Sequence, residues 1–303
     1  MSIVVVGTVA FDSIETPSGR VERAIGGSAT YFSLAASYFT PVKLVAVVGE
    51  DFGHHQRAIL REKNVDLDGL VVVDGGKTFF WEGRYGVDPN DRETLVTELN
   101  VFERFRPELP ASYRSSAWLF LGNIDPEIQI DVLDQIEGTP YVGCDTMNFW
   151  IQRKPNELES VLKRVDILFI NDGEARELSG ERNLVAAARA VLERGPRAVV
   201  IKKGEHGALL FTRDFRFFAP AYPLQEVVDP TGAGDSFAGG FMGYLARASS
   251  FDEAHLRRAM FYGTITASYA CESFSVERLR NLSEKHISDR FSELIDLVRI
   301  DIE

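Results

Sequence analysis

VVDPTGAGDSFAGGFMGYLA, residues 227–246, places a glycine turn directly before a helical run of small residues. Glycine and alanine at 232–234 let the backbone approach a ligand closely. The first N–H groups of a helix have no partner within it, and the helix dipole adds positive character there, so Gly232, Ala233 and Gly234 read as an anion pocket. Asp235 follows in the first turn. A carboxylate at that place would repel a phosphate unless it faced an attacking hydroxyl, which suits a general base in phosphoryl transfer. On these residues alone, Asp235 reads equally as a cap of the turn. The stretch is neither a Walker A loop, since G-x-x-x-x-G-K-[ST] is absent from the chain, nor a dinucleotide fingerprint, since residue 237 is Phe where the third glycine would stand.

Upstream, short β-branched runs recur at 3–7, 43–49, 117–122, 141–145, 166–170 and 198–202. They are apolar on both faces, the mark of strands buried in a parallel sheet. Helical spacing lies between them at 28–39, 54–63, 127–136 and 184–194, and again at 233–246, 255–270 and 276–282. The alternation predicts an open, doubly wound α/β sheet. Residues 12–24 and 69–100 break the rhythm with alternating strand formers and turns, and are expected to form a small antiparallel sheet that serves as a lid. A single domain over 1–303 with that lid is the economical division.

Of the 303 residues, 45% are hydrophobic and 26% charged, enough apolar material for a core. The formal net charge of −12, without a basic run, excludes nucleic acid as the expected partner. Two distant cysteines, Cys144 and Cys271, are expected as buried free thiols. No C-x-x-C pair or His/Cys cluster suggests zinc, and the five histidines suggest no hydrolase triad. The N-terminus lacks a basic region and a long apolar run, and no stretch reaches the ~20 apolar residues of a membrane helix, so the expected location is cytoplasmic with no membrane partner.

The motif Asp229-Pro-Thr-Gly-Ala-Gly-Asp235 resembles the D-x-T-G-A-G-D signature of the ribokinase-like, or PfkB, carbohydrate and nucleoside kinases. The resemblance runs along essentially the whole chain. VVGTVAFD (5–12), AIGGSATYFSLAASY (24–38), VVGEDFGHHQRAILREKNVD (47–66), NDGEARELSG (171–180) and VVIKKGEHGALL (199–210) resemble further family blocks in the family's order. It implies a three-layer α/β/α fold with a mostly parallel sheet and a small antiparallel lid. It also implies an ATP- and Mg²⁺-dependent phosphotransferase acting on an alcohol group, with Asp235 as base and the amides of Gly232, Ala233 and Gly234 holding the phosphoryl group. Asn171 and Glu174 would position Mg²⁺, largely through water; without the family they read as a helix cap and a solvated residue. Asp12, Gly26 and Gly27 would bind the acceptor, a carboxylate being suited to a vicinal diol. Lys202, Gly204, Gly207 and Thr231 would meet the nucleotide. On residues alone Lys202 reads equally as an exposed strand end, and the two glycines as turn formers.

Three departures bear on the acceptor. Tyr31 stands where many members have an acceptor-binding Asn. CDTMNFW (144–150) keeps only Asp145 of a common Asp-Pro-Asn. The loop YACESFS (269–275) lacks the glycine of the family's nucleotide and cation loop, which leaves a monovalent site such as K⁺ open. In the lid, Phe79 and Trp81 fall on one strand face, where they would stack on a substrate ring or pack the lid against the core. A sugar or sugar-like alcohol is the first expectation for the acceptor and a nucleoside the second; a non-catalytic ligand-binding relative is the reading from another class. An open lid edge also suggests a homodimer.

Overall fold

The computed structural model describes residues 1–300; the last three residues of the expected domain lie outside the described residues. Among the described residues, thirteen strands form two sheets: β1 (Ile3–Val6), β2 (Ala10–Thr16), β3 (Gly19–Gly26), β4 (Val42–Gly49), β5 (Val65–Val73), β6 (Phe79–Tyr85), β7 (Arg92–Glu98), β8 (Trp118–Leu121), β9 (Tyr141–Asp145), β10 (Ile167–Asn171), β11 (Ala198–Lys202), β12 (Ala208–Thr212) and β13 (Arg216–Ala219). The large sheet has the order β13-β12-β11-β10-β9-β8-β1-β4-β5. Its neighbouring strands pair in parallel except β11–β12 and β12–β13, so β12 alone runs against the rest. The central strands are buried on both faces, as their continuous apolar runs require. Each face has its own apolar cluster, one around Phe32, Phe120, Phe169 and Phe241, the other around Leu119, Leu121, Leu168 and Ile170.

From β1 the chain proceeds outward to β4 and β5 on one side; β8, β9, β10 and β11 follow on the other. The order therefore reverses between β1 and β8. In an open α/β sheet a ligand crevice forms beyond the carboxyl ends of the strands at such a point. Asp145, Asn171 and Lys202 end the adjacent strands β9, β10 and β11.

The small sheet has the order β3-β2-β6-β7. It departs from the expected lid in two ways. Its central pair, β2 and β6, is parallel. Residues 69–73 belong to β5 at the edge of the large sheet, so the second half of the lid begins at Phe79. The end of β5 lies at the open edge of the large sheet, and Val71, Val72 and Val73 are all exposed there. Cys144 is buried and Cys271 half-buried; both are free.

The Ala233–Ala248 helix that carries the motif is set among the Ser28–Ala36 and Glu253–Ala270 helices by its small residues. A methyl group at Gly239 would come within 2.5 Å of the Phe32 carbonyl oxygen, and one at Gly240 within 2.6 Å of the Tyr262 carbonyl oxygen. The glycines thus bring backbone against backbone and fix the height of the turn at the helix start. An exposed Gly→Ala change in a helix gains up to about 1 kcal/mol. Here Gly239→Ala is expected to destabilise by overpacking, by about 1–3 kcal/mol, and to lower Tm in thermal unfolding.

Candidate active site

Gly232 adopts φ 75 at the N-cap of the motif helix, a left-handed conformation natural to glycine. A methyl group there would lie 2.3 Å from the Tyr31 ring, so the ring is the floor of the turn. The Ala233 N–H bonds to the Pro230 carbonyl at 3.2 Å, whereas no described residue accepts from the Gly232 or Gly234 N–H. Two of the three motif amides are therefore free to receive an anion. Asp235 begins beside them, half-buried. Burial, then the charge of Asp145, pushes its carboxyl up to about 7, while Lys202 and Arg92 pull the other way.

Lys202 lies beneath Gly234, whose added methyl would sit 3.0 Å from its Nζ. It donates to Asp145 Oδ2 at 3.0 Å, and the other Asp145 oxygen accepts from the Thr146 N–H at 2.8 Å. Burial works against the lysine charge, but Asp145 and Glu174 outweigh it and raise its pKa. Asp145 thus reaches the anion pocket through Lys202.

Asn171 and Glu174 form a reciprocal capping box: the Asn171 N–H donates to Glu174 Oε2 at 2.7 Å, and the Glu174 N–H donates to Asn171 Oδ1 at 2.8 Å. Burial, then Asp145, raises the Glu174 carboxyl to about 7 against the pull of Lys202. Glu174, Asp145 and Asp235 therefore concentrate negative charge around one lysine. Among the described residues no three such side chains converge to hold a metal ion, so a divalent cation placed here by Asn171 and Glu174 would keep most of its water.

Asp12 enters from the lid. Its carboxylate lies against Gly26, where a methyl group would be 1.9 Å from Oδ2, so glycine is needed for the carboxylate to sit there. Burial first, then Asp229, raises the Asp12 carboxyl to about 8; the Gly27 N–H offsets part of this. Asp229 is tied on both oxygens, accepting from the Thr231 and Ser275 N–H groups at 2.9 and 3.1 Å. That carboxylate joins the motif to the loop at 269–275. The Tyr31 hydroxyl, buried and without a hydrogen-bond partner, stands in the field of Asp229, Asp12 and Asp235.

The two expected lid aromatics part company. Phe79 packs edge-on against Phe102 with ring centroids 6.0 Å apart, as part of the core. Trp81 pairs with Asp12 across β6 and β2, and aligned residues on neighbouring strands share a face. Its indole extends over Gly83, and its Nε1–H donates to Thr94 Oγ1 at 3.3 Å. Tyr85, on the same face, accepts from the Thr231 hydroxyl at 3.1 Å; nearer the hairpin tip, Thr16 donates to the Val228 carbonyl at 2.8 Å. These bonds fasten the lid to the segment that leads into the motif. At the far end, the lid turn brings Asn90 against Gly204, where a methyl group would meet Oδ1 at 2.3 Å. Gly207 (φ 81) shapes the β11–β12 turn, a methyl group there meeting the Ala219 carbonyl oxygen at 2.2 Å.

Sequence reasoning singled out neither Tyr85 as a lid fastener nor Arg92 as a charge facing the cleft. Arg92 pairs with Tyr85 in register and stacks on Trp81, its guanidinium carbon 5.5 Å from the ring centroid. Strand alternation from Trp81 to Tyr85 could have placed Tyr85 on the Asp12 face. Arg92 required the β6–β7 register, which a one-residue irregularity after Glu82 shifts.

A switch-point crevice with an amide pocket, a raised carboxyl beside it and a covering lid defines a small-molecule phosphotransferase. The profile of the pfkB family carbohydrate kinases matches residues 1–279, and the chain belongs to that family. It is accordingly an ATP-dependent kinase that phosphorylates a hydroxyl of a sugar-like alcohol. A cytidine kinase of Thermococcus kodakarensis is 31% identical over 260 residues, 84% of this chain and 91% of that one. The crystal structure of a Methanocaldococcus jannaschii nucleoside kinase superposes with a TM-score of 0.78 at 22% identity, covering 96% of this chain and 98% of that one. An E. coli protein solved as a ribokinase II with ATP and Mg²⁺ superposes with a TM-score of 0.75 at 19% identity, covering 96% and 99%. Among the described residues, no helix is long and apolar enough to cross a membrane.

The raised Asp12 carboxyl has a consequence for stability. An unfolded aspartate titrates near 4, and in the folded chain Asp12 titrates at about 8. Between those values the folded state binds the extra proton, so the contribution of this group to stability declines as pH rises from about 4 to about 8. Asp12→Asn is expected to raise Tm of the ligand-free protein at pH 8, with the gain shrinking toward pH 5. A Tm difference independent of pH would remove Asp12 as a strained buried charge.

Proposed function

We propose that the acceptor is a nucleoside, phosphorylated on a ribose hydroxyl with Asp235 as the base. The observation that carries the nucleoside assignment is the register of Trp81 with Asp12 on the cleft face of the lid. A carboxylate suits a pair of adjacent ribose hydroxyls, and an indole one strand over suits a stacked base. The likeness to a cytidine kinase supports the same class.

In this mechanism Asp12 orients the ribose so that the reacting hydroxyl points toward Asp235. The oxygen of that hydroxyl forms a bond to the γ-phosphorus as the bond from phosphorus to the bridging oxygen of ADP breaks. The hydroxyl proton passes to Asp235. A carboxyl titrating near 7 is a better matched base at neutral pH than an ordinary aspartate. The free N–H groups of Gly232 and Gly234 donate to the transferring oxygens. Lys202 adds positive charge from below, held in place by Asp145. Glu174, with Asn171, would hold Mg²⁺, which neutralises part of the phosphate charge. The lid, fastened at Thr231 and Val228, excludes water that would otherwise compete with the acceptor.

The edge strand β7 is exposed along its length and presents Leu95 and Val96. This supports a homodimer through the lid, which light scattering on the purified chain tests.

Asp235→Asn is expected to lower kcat by a factor on the order of 10² to 10⁴ while ADP still binds. In the wild type, kcat/KM for the acceptor should fall tenfold per pH unit below about 7, as the base takes up a proton. Near-normal turnover by the Asn variant would remove Asp235 from the mechanism. For the acceptor, an ADP-release screen over pyrimidine and purine nucleosides, ribose, fructose and ribose 1-phosphate should give the highest kcat/KM with a nucleoside. Trp81→Ala should raise KM for that nucleoside by about tenfold or more, the loss of one stacking contact. Turnover confined to free sugars would overturn the nucleoside assignment and leave the kinase class standing.

A further inference from the structure

Four arginines lie in the strands of the lid: Arg20 and Arg23 in β3, Arg84 in β6 and Arg92 in β7. Arg20 lies within ion-pair distance of Glu15, Glu22 and Glu82, Arg23 of Asp51, and Arg84 of Glu15 and Glu93. Among the described residues, no carboxylate lies within ion-pair distance of Arg92. The reason is its face. Arg84 and Glu93 pair on the outer side of the lid; Arg92, one residue earlier on β7, pairs with Tyr85 on the inner side. There it rests on Trp81, and its neighbour Tyr85 is bonded to Thr231, the residue before Gly232.

The groups below this face are acidic: Asp12, Asp145, Glu174, Asp229 and Asp235. The cation among them, Lys202, is engaged by Asp145. An incoming nucleotide adds more negative charge. A cation–π contact at an exposed site is worth only about 0.5–1 kcal/mol, so the guanidinium can leave Trp81 for a stronger partner at little cost. Its charge is already felt by Asp12, Glu174 and Asp235, the carboxyls that surround the proposed site of transfer.

We infer that Arg92 is a catalytic residue supplied by the lid, which donates N–H groups to the oxygens of the transferring phosphoryl group. This rests on the kinase reading of the cleft. The guanidinium stays protonated throughout; the hydroxyl proton still goes to Asp235 and ADP still leaves. Arginine suits the task because its planar fork can hold two oxygens at once, which a lysine ammonium cannot match. The lid then acts on the reaction chemically as well as by covering it.

The test compares wild type, Arg92→Ala and Arg92→Lys under steady-state conditions with the best acceptor of the screen. Arg92→Ala should lower kcat by about 10²–10³-fold, with much smaller changes in KM for ATP and acceptor. Arg92→Lys should recover part of the loss, and millimolar guanidinium ion should restore part of the Ala variant's rate. Binding of ADP with aluminium fluoride, a mimic of the transferring group, should weaken in the Ala variant far more than binding of ADP alone. Arg92 is exposed, so an unchanged Tm is expected and serves as the folding control. A wild-type kcat in Arg92→Ala, or a loss confined to KM for the acceptor, would overturn the assignment while leaving the kinase reading intact. Absence of ADP formation by the wild type with every acceptor would overturn both.

Discussion

The close seating of the Ala233–Ala248 helix is the constraint on which the site depends. Its glycines let three backbones approach within the space of a missing methyl group, and Gly232 rests on the flat ring of Tyr31. The turn is held by this contact and by the side-chain bonds of Asp229 and Thr231 just before it, and the Gly232 and Gly234 amides stay unspent. A phosphate cradle needs donors that are fixed in direction yet have no internal acceptor. Close packing beneath the turn meets both needs.

Charge imbalance is the second consequence of that arrangement. The carboxyls of Asp12, Glu174 and Asp235 are all raised, with burial the first cause in each. Each is more costly to ionise here than in water. The ligand-free cleft is thus a strained collection of acids around Lys202, and it is matched to a state in which cations arrive with the substrates. Carboxyls raised in this way oppose folding at neutral pH, and in the proposed mechanism the cations that come with the substrates relieve them. Lys202, held by Asp145, pulls the Glu174 and Asp235 carboxyls back down, and the Asn171 N–H does the same for Glu174 through the capping box.

The lid joins the two sides of the chemistry. Because β2 and β6 run parallel, Asp12 and Trp81 come to lie side by side on one face although 69 residues separate them in the chain. The same face carries Tyr85 and Arg92 toward the motif. Outer-face charges are paired among themselves, so the sheet can present one polar, salt-bridged side to water and one functional side to the cleft. The bonds from Thr231 to Tyr85 and from Thr16 to Val228 make lid and motif one mechanical unit.

The large sheet, the motif helix and the motif residues were legible in the linear chain. Fully apolar runs, helical spacing and a glycine turn are local patterns, and a buried parallel strand or a glycine at φ 75 leaves few other residue choices. The sequence also showed that the lid held aromatics, but not which of them served the cleft. Only the tertiary structure sent Phe79 to Phe102 and Trp81 to Asp12, assigned residues 69–73 to an edge of the large sheet, put Asp145 on Lys202 and turned Arg92 inward. Those outcomes depend on strand register, on a one-residue irregularity between β6 and β7, and on which charges meet across the fold. None of these is carried by the spacing of residues within a segment, because pairing energy depends on partners that are distant in the chain.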